Sequence, residues 1–474
     1  FFSGERVALA AEVAVDFAEL AKRQGDLGRA LAYYEHYDKG FSSAGRLSPA
    51  ETQRWGVATT IPLGSGGFVT TKYDELFSGD AGTSKTGVLD VGNKFAIVGG
   101  HLTAKAGLRY EDRTPGLLFN SVQDGSRTDS AVELAYKPLS GNWEAHAFGQ
   151  ITLDHDATRS RNNRAGVGLK AELTERLSLS SEVSGGDGGL GADVKLNHRL
   201  GEGSEAYVGY ALFADRTDTG LDAQNIFTRS NRGTLTVGAR KRFSDSLSLH
   251  GENRIGFGGA APSLTRSFGL RFDPTKKLSL QGSFENGRID DVTTGVFRRT
   301  AASIGVGYTT EFVRAGTSVE LRNEKGALLD QTVWLLRNTL SYAVNPDWRL
   351  LAQLNLARAD SEGPSVRAAE FTEGMVGFAY RPVDNERLNA LLRLQYFADL
   401  GPVGQVTGSG QIQSPKQVST IFSADMNYDL SKKLTIGAKY GYRQGRVSLG
   451  RDSNLYVSSD AHLAVLRLDY GVAK

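Results

Sequence analysis

The sequence has no cysteine among its 474 residues, few prolines and no long apolar run. Without cysteine, disulfide frameworks, thiolate zinc sites and thiol nucleophiles are excluded. The 11 prolines are scattered, and no linker divides the chain into the separate domains that a soluble chain of this length normally has. No window approaches about 18 consecutive apolar residues, so transmembrane helices are excluded as well.

The net charge is also small. The 55 basic and 53 acidic residues leave a formal charge of +2, which gives no overall field that would attract nucleic acid. The first residues, Phe1 to Arg6, do not form a basic segment followed by an apolar stretch. We therefore expect any export signal to have been removed or to lie outside this chain.

What the sequence does contain is a repeated unit, in which an aromatic residue precedes a short polar turn and an alternating apolar run follows it. Apolar residues occupy every second position from Phe422 to Tyr428, and again from Leu434 to Tyr440 after the turn. A period of two is expected of a strand with one face in an apolar medium and the other in a polar one. The same unit recurs as KAELTERLSLSSEV, GARKRFSDSLSLHGE, GLRFDPTKKLSLQGSF, GVGYTTEFVRAGTSV, LSYAVNPDWRLLAQL and FAYRPVDNERLNALL.

Counting the alternating runs predicts an all-β chain: a large antiparallel up-and-down transmembrane β-barrel of about 24–26 or more strands. Short turns alternate with long loops, which in bacterial outer-membrane barrels face the periplasm and the cell exterior respectively. The predicted long loops are DRTDTGLDAQNIFTRSN, GRIDDVTTGVF, RADSEGPSVRAAE, DLGPVGQVTGSGQIQSP and GRVSLGRDSNLYVSSD.

The domain prediction is a single barrel domain over residues 1–474, with residues 1–45 ambiguous. Alanine-rich sequence there would suit a helical hairpin, but Leu9, Val13 and Val15 alternate with Glu12 and smaller residues, so strands are favoured. The region 83–100 is interpreted as one strand and a loop, and SGGDGGLG at residues 184–191 as a loop. We expect the polypeptide to continue beyond Lys474 with at least one further strand.

Two sets of residues follow from the strand phase. The first is an aromatic girdle at the headgroup level, in phase with the apolar face and close to the short turns. Its predicted members are Tyr136, Phe243, Phe272, Tyr308, Tyr342, Tyr380, Tyr428 and Tyr470.

The second set lies in the opposite phase and is predicted to line the pore, because a charge facing lipid near the midplane costs about 2–4 kcal/mol. The basic candidates are Arg109, Lys170, Arg240, Arg254, Arg271, Arg314, Arg337, Arg393, Lys439 and Arg467. The acidic candidates are Glu133, Glu172, Glu252, Glu320, Asp425 and Asp469.

From about Trp334 onward the wording becomes more specific. The segments WLLRNTLSYAVNPDWRLLAQLNLA, GFAYRPVDNERLNALLRLQYF, YDLSKKLTIGAKYGYR and AHLAVLRLDYGVAK resemble the C-terminal β-barrel region of large, poorly characterised proteobacterial outer-membrane proteins, which often carry immunoglobulin-like repeat modules outside the barrel. The resemblance implies an outer-membrane barrel and carries no catalytic residues.

Catalytic and metal chemistry find little support. No two of the seven histidines stand at i, i+2 or i, i+4 spacing, so no preformed metal site is predicted. His146 and His250 lie beside Glu144 and Glu252 on the expected inner face, where a hydrogen-bond network is favoured over catalysis. We expect no enzyme activity, no catalytic residue, no metal and no cofactor.

The leading functional hypothesis is an outer-membrane conduit or anchor for the export, assembly or display of a surface polymer or protein. The alternative is an uptake channel, either an energy-coupled receptor or a passive porin. A soluble β-rich adhesin and a membrane-embedded hydrolase are weaker alternatives. The expected location is the outer membrane of a Gram-negative bacterium, with outer-membrane lipid and lipopolysaccharide as partners, periplasmic or surface proteins as further candidates, and no nucleic acid.

Overall fold

A computed structural model describes most of the chain. The described residues are 7–39, 42–43, 46–47, 51–64, 66–79, 82–115, 124–212, 233–257, 262–291, 295–327, 329–361, 370–400, 405–406, 412–413, 416–448 and 456–470.

The described chain forms one antiparallel sheet of 25 long strands, in which each strand pairs with its neighbours in sequence. The first thirteen are β1 Ala8–Asp16, β2 Arg29–Tyr37, β3 Thr52–Leu63, β4 Gly67–Ser78, β5 Gly82–Ile97, β6 Gly100–Pro115, β7 Gly125–Pro138, β8 Trp143–His155, β9 Arg164–Glu172, β10 Leu177–Gly186, β11 Gly189–Gly201, β12 Ser204–Leu212 and β13 Gly233–Arg242. The remaining twelve are β14 Leu247–Gly256, β15 Ser263–Phe272, β16 Leu278–Asp291, β17 Gly295–Thr309, β18 Val313–Gly326, β19 Asp330–Ala343, β20 Trp348–Ser361, β21 Glu370–Tyr380, β22 Leu388–Leu400, β23 Lys416–Ser431, β24 Leu434–Ser448 and β25 Tyr456–Tyr470. The all-β, up-and-down prediction and its strand number are confirmed.

The first segment consists mainly of strands, as the alternation predicted. β1 and β2 pair in register from Ala8 opposite Tyr37 to Asp16 opposite Arg29. Between them lies α1 (Phe17–Ala21), a single helical turn whose N-cap Asp16 accepts hydrogen bonds from the amides of Ala18 and Glu19. Of the helices among the described residues, none has the length and hydropathy of a membrane span.

The connections differ between the two ends of the sheet. After α1, every connection at one end, here the short-turn end, contains between two and seven residues. The opposite long-loop end includes connections of up to 20 residues. Turns of the kind seen at the short-turn end face the periplasm in outer-membrane barrels, so the long-loop end is the extracellular one.

Two loop predictions were wrong because the strands are longer than the pattern indicated. β16 and β17 extend through most of GRIDDVTTGVF and leave only residues 292–294 between them. Within residues 184–191, β10 and β11 pair up to Gly186 opposite Gly189, so the turn has two residues. The interpretation of residues 83–100 as one strand and a loop agrees with the structure, in which β5 covers residues 82–97 and a tight turn follows. Strands of up to 16 residues exceed what a tilted span requires.

The two outermost strands of the sheet are β1 and β25. They run in the same direction because an even number of antiparallel steps separates them, and the described residues contain no pairing between them. The sheet nevertheless curls round on itself. The two-residue strand Ser42–Ser43, which follows β2, has Cα atoms within 8 Å of Cα atoms in β24 and β25.

The side chains of each strand alternate between the two faces of the sheet, and direct strand partners lie on the same face. One carries exposed large apolar residues such as Val132, Leu134, Ile304 and Leu394, and is called the apolar face. The other, the polar face, holds the buried charged residues. Few apolar side chains are buried, which is typical of a sheet whose apolar face contacts lipid.

Candidate functional site: the polar face of the sheet

The sequence-predicted pore residues lie together on the polar face. The register carries this phase continuously, for example from Glu205 through Arg240 to His250 and from Lys105 to Glu133. The same pairing places the other basic and acidic candidates on this face. In a membrane barrel the polar face lines the interior, so the predicted set is compatible with one inner wall.

Many of the candidates pair with each other or with a neighbour of opposite charge. The Arg393 guanidinium lies 3.2 Å from the Asp425 carboxylate, and the Lys439 ammonium lies 3.5 Å from the same group. Further pairs join Arg254 to Glu252, Glu320 to Arg322, Glu172 to Arg199, Arg271 to Asp273 and Arg467 to Asp469.

Three arginines differ from this pattern. Arg240, Arg314 and Arg337, here called the lumen cations, are exposed. Within the described part of the chain they form no ion pair, and neither does Lys170. An unpaired guanidinium keeps its donors for a solute or for water, so these three side chains are available to bind an anion at the polar face.

A second feature crosses three strands at a time. The Tyr33 hydroxyl on β2 reaches Asp74 on β4, and a Cβ added at Gly56 on the intervening β3 would lie 2.7 Å from the Tyr33 ring. Arg54 donates to the same Asp74 at 2.8 Å. The glycine therefore provides the space that lets the ring lie across its strand.

The arrangement occurs twice more. Tyr207 on β12 crosses Gly238 on β13 to donate to Glu252 on β14, and His146 on β8 crosses Gly168 on β9 to reach Glu182 on β10. The His146 nitrogen lies 3.0 Å from the Glu182 oxygen. The ring spans a glycine, so its partner is Glu182 on the second strand away and not the neighbouring Glu144 on the same strand.

His146 and Glu182 border a cavity of about 460 Å³ on the polar face. Charges of both signs line it, with Lys105, Lys170 and Asp193 among them. No group of three or more His, Asp or Glu side chains suited to a metal ion occurs in the described ranges. The cavity is thus a polar recess in the wall with mixed charge.

Residues 156–163, which connect β8 and β9 at the long-loop end, are held to the polar face by buried ion pairs. Its Arg159 is buried and donates to Glu111 on β6 at 2.7 Å, while Arg109 lies 2.5 Å from the same carboxylate. Arg127 pairs with Asp129 at 2.8 Å and also donates to the Ser160 carbonyl. The connection between β8 and β9 therefore folds back over the polar face as far as β6.

The start of this connection is fixed by a carboxylate. The Ser126 amide donates to Asp156 at 2.6 Å, and this hydrogen bond holds the pKa of the Asp156 carboxyl below its ordinary value. The Asp156 amide in turn donates to the Ser126 carbonyl at 2.9 Å. The sequence alone does not reveal this contact, because Ser126 and Asp156 lie 30 residues apart and meet only through the pairing of β7 with β8.

The girdle residues lie on the apolar face at the short-turn end, where the prediction placed them. Phe243 follows the last residue of β13, and Phe272, Tyr308, Tyr342, Tyr380, Tyr428 and Tyr470 lie at or near strand ends. Two tryptophans that the prediction missed, Trp348 and Trp143, join them. The Trp348 ring lies 4.6 Å from that of Tyr380, and the Trp143 ring 5.6 Å from that of Tyr136.

Comparison with known proteins gives a fold and no closer relative. No family model and no curated protein matches the chain. Among solved structures, the FrpB iron transporter from Neisseria meningitidis (F3-3 variant) matches with 13% identity and a TM-score of 0.54, covering 96% of this chain and 83% of that one. The chain has the fold of an outer-membrane β-barrel.

Two further structures agree. A mutant of the ferric enterobactin receptor PfeA from Pseudomonas aeruginosa matches with 10% identity and a TM-score of 0.51, over 87% of this chain and 74% of that one. The siderophore receptor PirA from Acinetobacter baumannii matches with 9% identity and a TM-score of 0.51, over 94% and 80%. At identities this low, the structural similarity establishes only the shared barrel fold. The resemblance of the last third to barrels with immunoglobulin-like modules stays a prediction.

Proposed function

We propose that this outer-membrane barrel is an uptake channel, which carries a hydrated or chelated solute from the cell exterior to the periplasm. The similar structures carry the names of an iron transporter, a ferric enterobactin receptor and a siderophore receptor. Those names support the uptake alternative over the export or anchor hypothesis that the sequence favoured. The observation within the chain that carries the proposal is the wall of mixed charge with its three lumen cations.

The lumen cations favour an anionic solute. Paired arginines such as Arg393 present little net charge to a passing solute, whereas an exposed, unpaired guanidinium can bind a carboxylate or catecholate oxygen with two parallel hydrogen bonds. A ring of cationic side chains raises the local anion concentration. An anionic metal chelate, the class that the receptor names indicate, fits this wall.

The experiment compares wild type with Arg240→Gln/Arg314→Gln/Arg337→Gln in planar bilayers and in proteoliposomes. We expect the variant to lose preference for anions, seen as a shift of the reversal potential in a salt gradient, and to admit ferric citrate more slowly. A closed wild-type barrel would show neither current nor uptake, and that result would contradict a passive channel.

A matched control removes three cations from the opposite face: Arg288→Gln/Arg298→Gln/Lys325→Gln. Selectivity should be unchanged in this control, because those side chains do not face the pathway. If both triple variants change selectivity equally, the assignment of the polar face to the pathway is wrong.

A further inference from the structure

Three basic residues stand side by side on the apolar face near the long-loop end. Arg288 on β16 is the direct partner of Arg298 on β17, and Arg298 is the direct partner of Lys325 on β18. All three are exposed. They are called the outward basic row.

The rows below it show a graded change in polarity. Two residues nearer the short-turn end, Asn286, Thr300 and Asn323 form a directly paired row, and the Asn286 amide donates to the Thr300 hydroxyl at 2.8 Å. Two residues further still come Phe284, Ala302 and Leu321, again directly paired.

The gradient matches the depth profile of a lipid leaflet. Because a strand rises about 3.4 Å per residue, the basic row lies about 14 Å along the strands from the apolar one. Apolar, then uncharged polar, then cationic is the order met on moving from acyl chains through the interface to phosphorylated headgroups. The outward basic row is thus placed at the level of the phosphates.

The row is not neutralised within the described protein. Like charges directly opposite each other on paired strands are destabilising, and none of the three forms an ion pair within 4 Å among the described residues. Two acids are nearby: Asp330 is the strand partner of Lys325, and Asp290 lies two residues beyond Arg288. Arg266 on β15, the strand partner of Asn286 in the row below, adds a further exposed cation to the same face, so the patch remains positive.

We propose that the outward basic row, with Arg266 beside it, is a docking site for phosphorylated headgroups of the outer-leaflet lipid. One guanidinium group can bind two phosphate oxygens at once, and adjacent arginines at strand spacing can share one phosphate. A bound phosphate removes the repulsion between Arg288 and Arg298. The long-loop end is the extracellular one, so the lipid is the phosphorylated glycolipid of that leaflet.

The test measures binding of diphosphoryl lipid A to the detergent-purified barrel and to Arg288→Gln/Arg298→Gln/Lys325→Gln. A basic side chain near an anionic surface is worth about 1 kcal/mol, or about fivefold in affinity, so three of them predict a loss of about a hundredfold. Native mass spectrometry counts the retained lipid, and thermal unfolding with added lipid reports its stabilisation. Lipid A without its phosphates should bind the wild type no better than it binds the variant.

The lumen variant Arg240→Gln/Arg314→Gln/Arg337→Gln is the matched control and should retain full lipid A binding. The proposal is overturned if the outward variant binds lipid A as wild type does, or if inorganic phosphate stabilises the wild type equally. It is also overturned if both triple variants lose lipid A alike. Because conductance reports the lumen triple and lipid binding the outward one, failure here leaves the uptake proposal standing.

Discussion

Two parts of the extracellular rim use charge in opposite ways. On β4, β5 and β6 the outward positions are Glu75, Lys85 and Asp112, which are direct strand partners with alternating sign. On β16, β17 and β18 the corresponding partners are all basic. In the first part, charges within the protein neutralise each other. In the second part, an external anion neutralises the basic side chains.

The polar face of the first part also pairs its charges within the protein. Glu111, on β6, receives Arg159 from the folded-back connection and Arg109 from its own strand. On β4–β6, charges of opposite sign therefore lie close together on both faces. The difference teaches that contacts within the protein order one side of the rim, whereas the order of the other side depends on the membrane.

Glu111→Gln should have the largest effect, because it removes the carboxylate from two arginines in a buried position. Breaking a buried ion pair from one side typically costs about 3–5 kcal/mol. We expect residues 156–163 to detach from the polar face, measured as a loss of hydrogen-exchange protection there. Glu320→Gln, whose partner Arg322 is partly exposed, is the control and should leave that protection unchanged.

Ala302→Arg extends the cationic patch from its proper level into the apolar row beneath it. An arginine facing lipid near the midplane costs about 2–4 kcal/mol, so urea unfolding from lipid vesicles should show a loss of that size. Ser303→Arg, one residue along β17 on the polar face, is the control. Equal losses for both variants would contradict the assignment of the two faces.

Arg298→Glu converts the basic row to alternating sign, as on β4–β6. A favourable cross-strand pair is worth about 0.2–1 kcal/mol, so the free energy of unfolding in detergent should rise slightly while the stabilisation by lipid A disappears. The reverse change, Glu75→Lys/Asp112→Lys, should create lipid A dependence on the other side. A rise in lipid A stabilisation for Arg298→Glu would be the contrary result.

The smallest expected effect concerns pH. The Asp156 pKa is lowered by the Ser126 amide, so the hydrogen bond stabilises the fold above the unfolded pKa of about 3.9 and is lost as pH falls through the lowered value. Proteolysis of residues 156–163 should increase only below about pH 4. In Asp156→Asn this pH dependence should be absent, and its persistence would assign the effect to another group.

The strand phase was predictable because a period of two is a property of neighbouring residues. It separated the apolar from the polar face and placed Arg240 and Glu252 on the polar one without any knowledge of pairing. It could not give lateral neighbours. Arg298 and Lys325 are far apart in sequence and become partners only through the register of β17 and β18.

The partner of His146 could not be found from the sequence for the same reason. Sequence proximity pointed to Glu144 on the same strand, whereas the space above Gly168 directs the ring to Glu182 two strands away. Loop lengths were overestimated for a related reason. Polar residues at the ends of β16 and β17 continue the strands past the lipid boundary, where apolar alternation no longer marks them.

The rings of Tyr33, His146 and Tyr207 lie flat along the wall because each rests over a glycine of the next strand. Side chains of that size would otherwise project towards the barrel axis. Held tangentially, each ring links three strands at once. A bulkier residue at Gly56, Gly168 or Gly238 would thus lift a ring from the wall and break its contact with the acid two strands away.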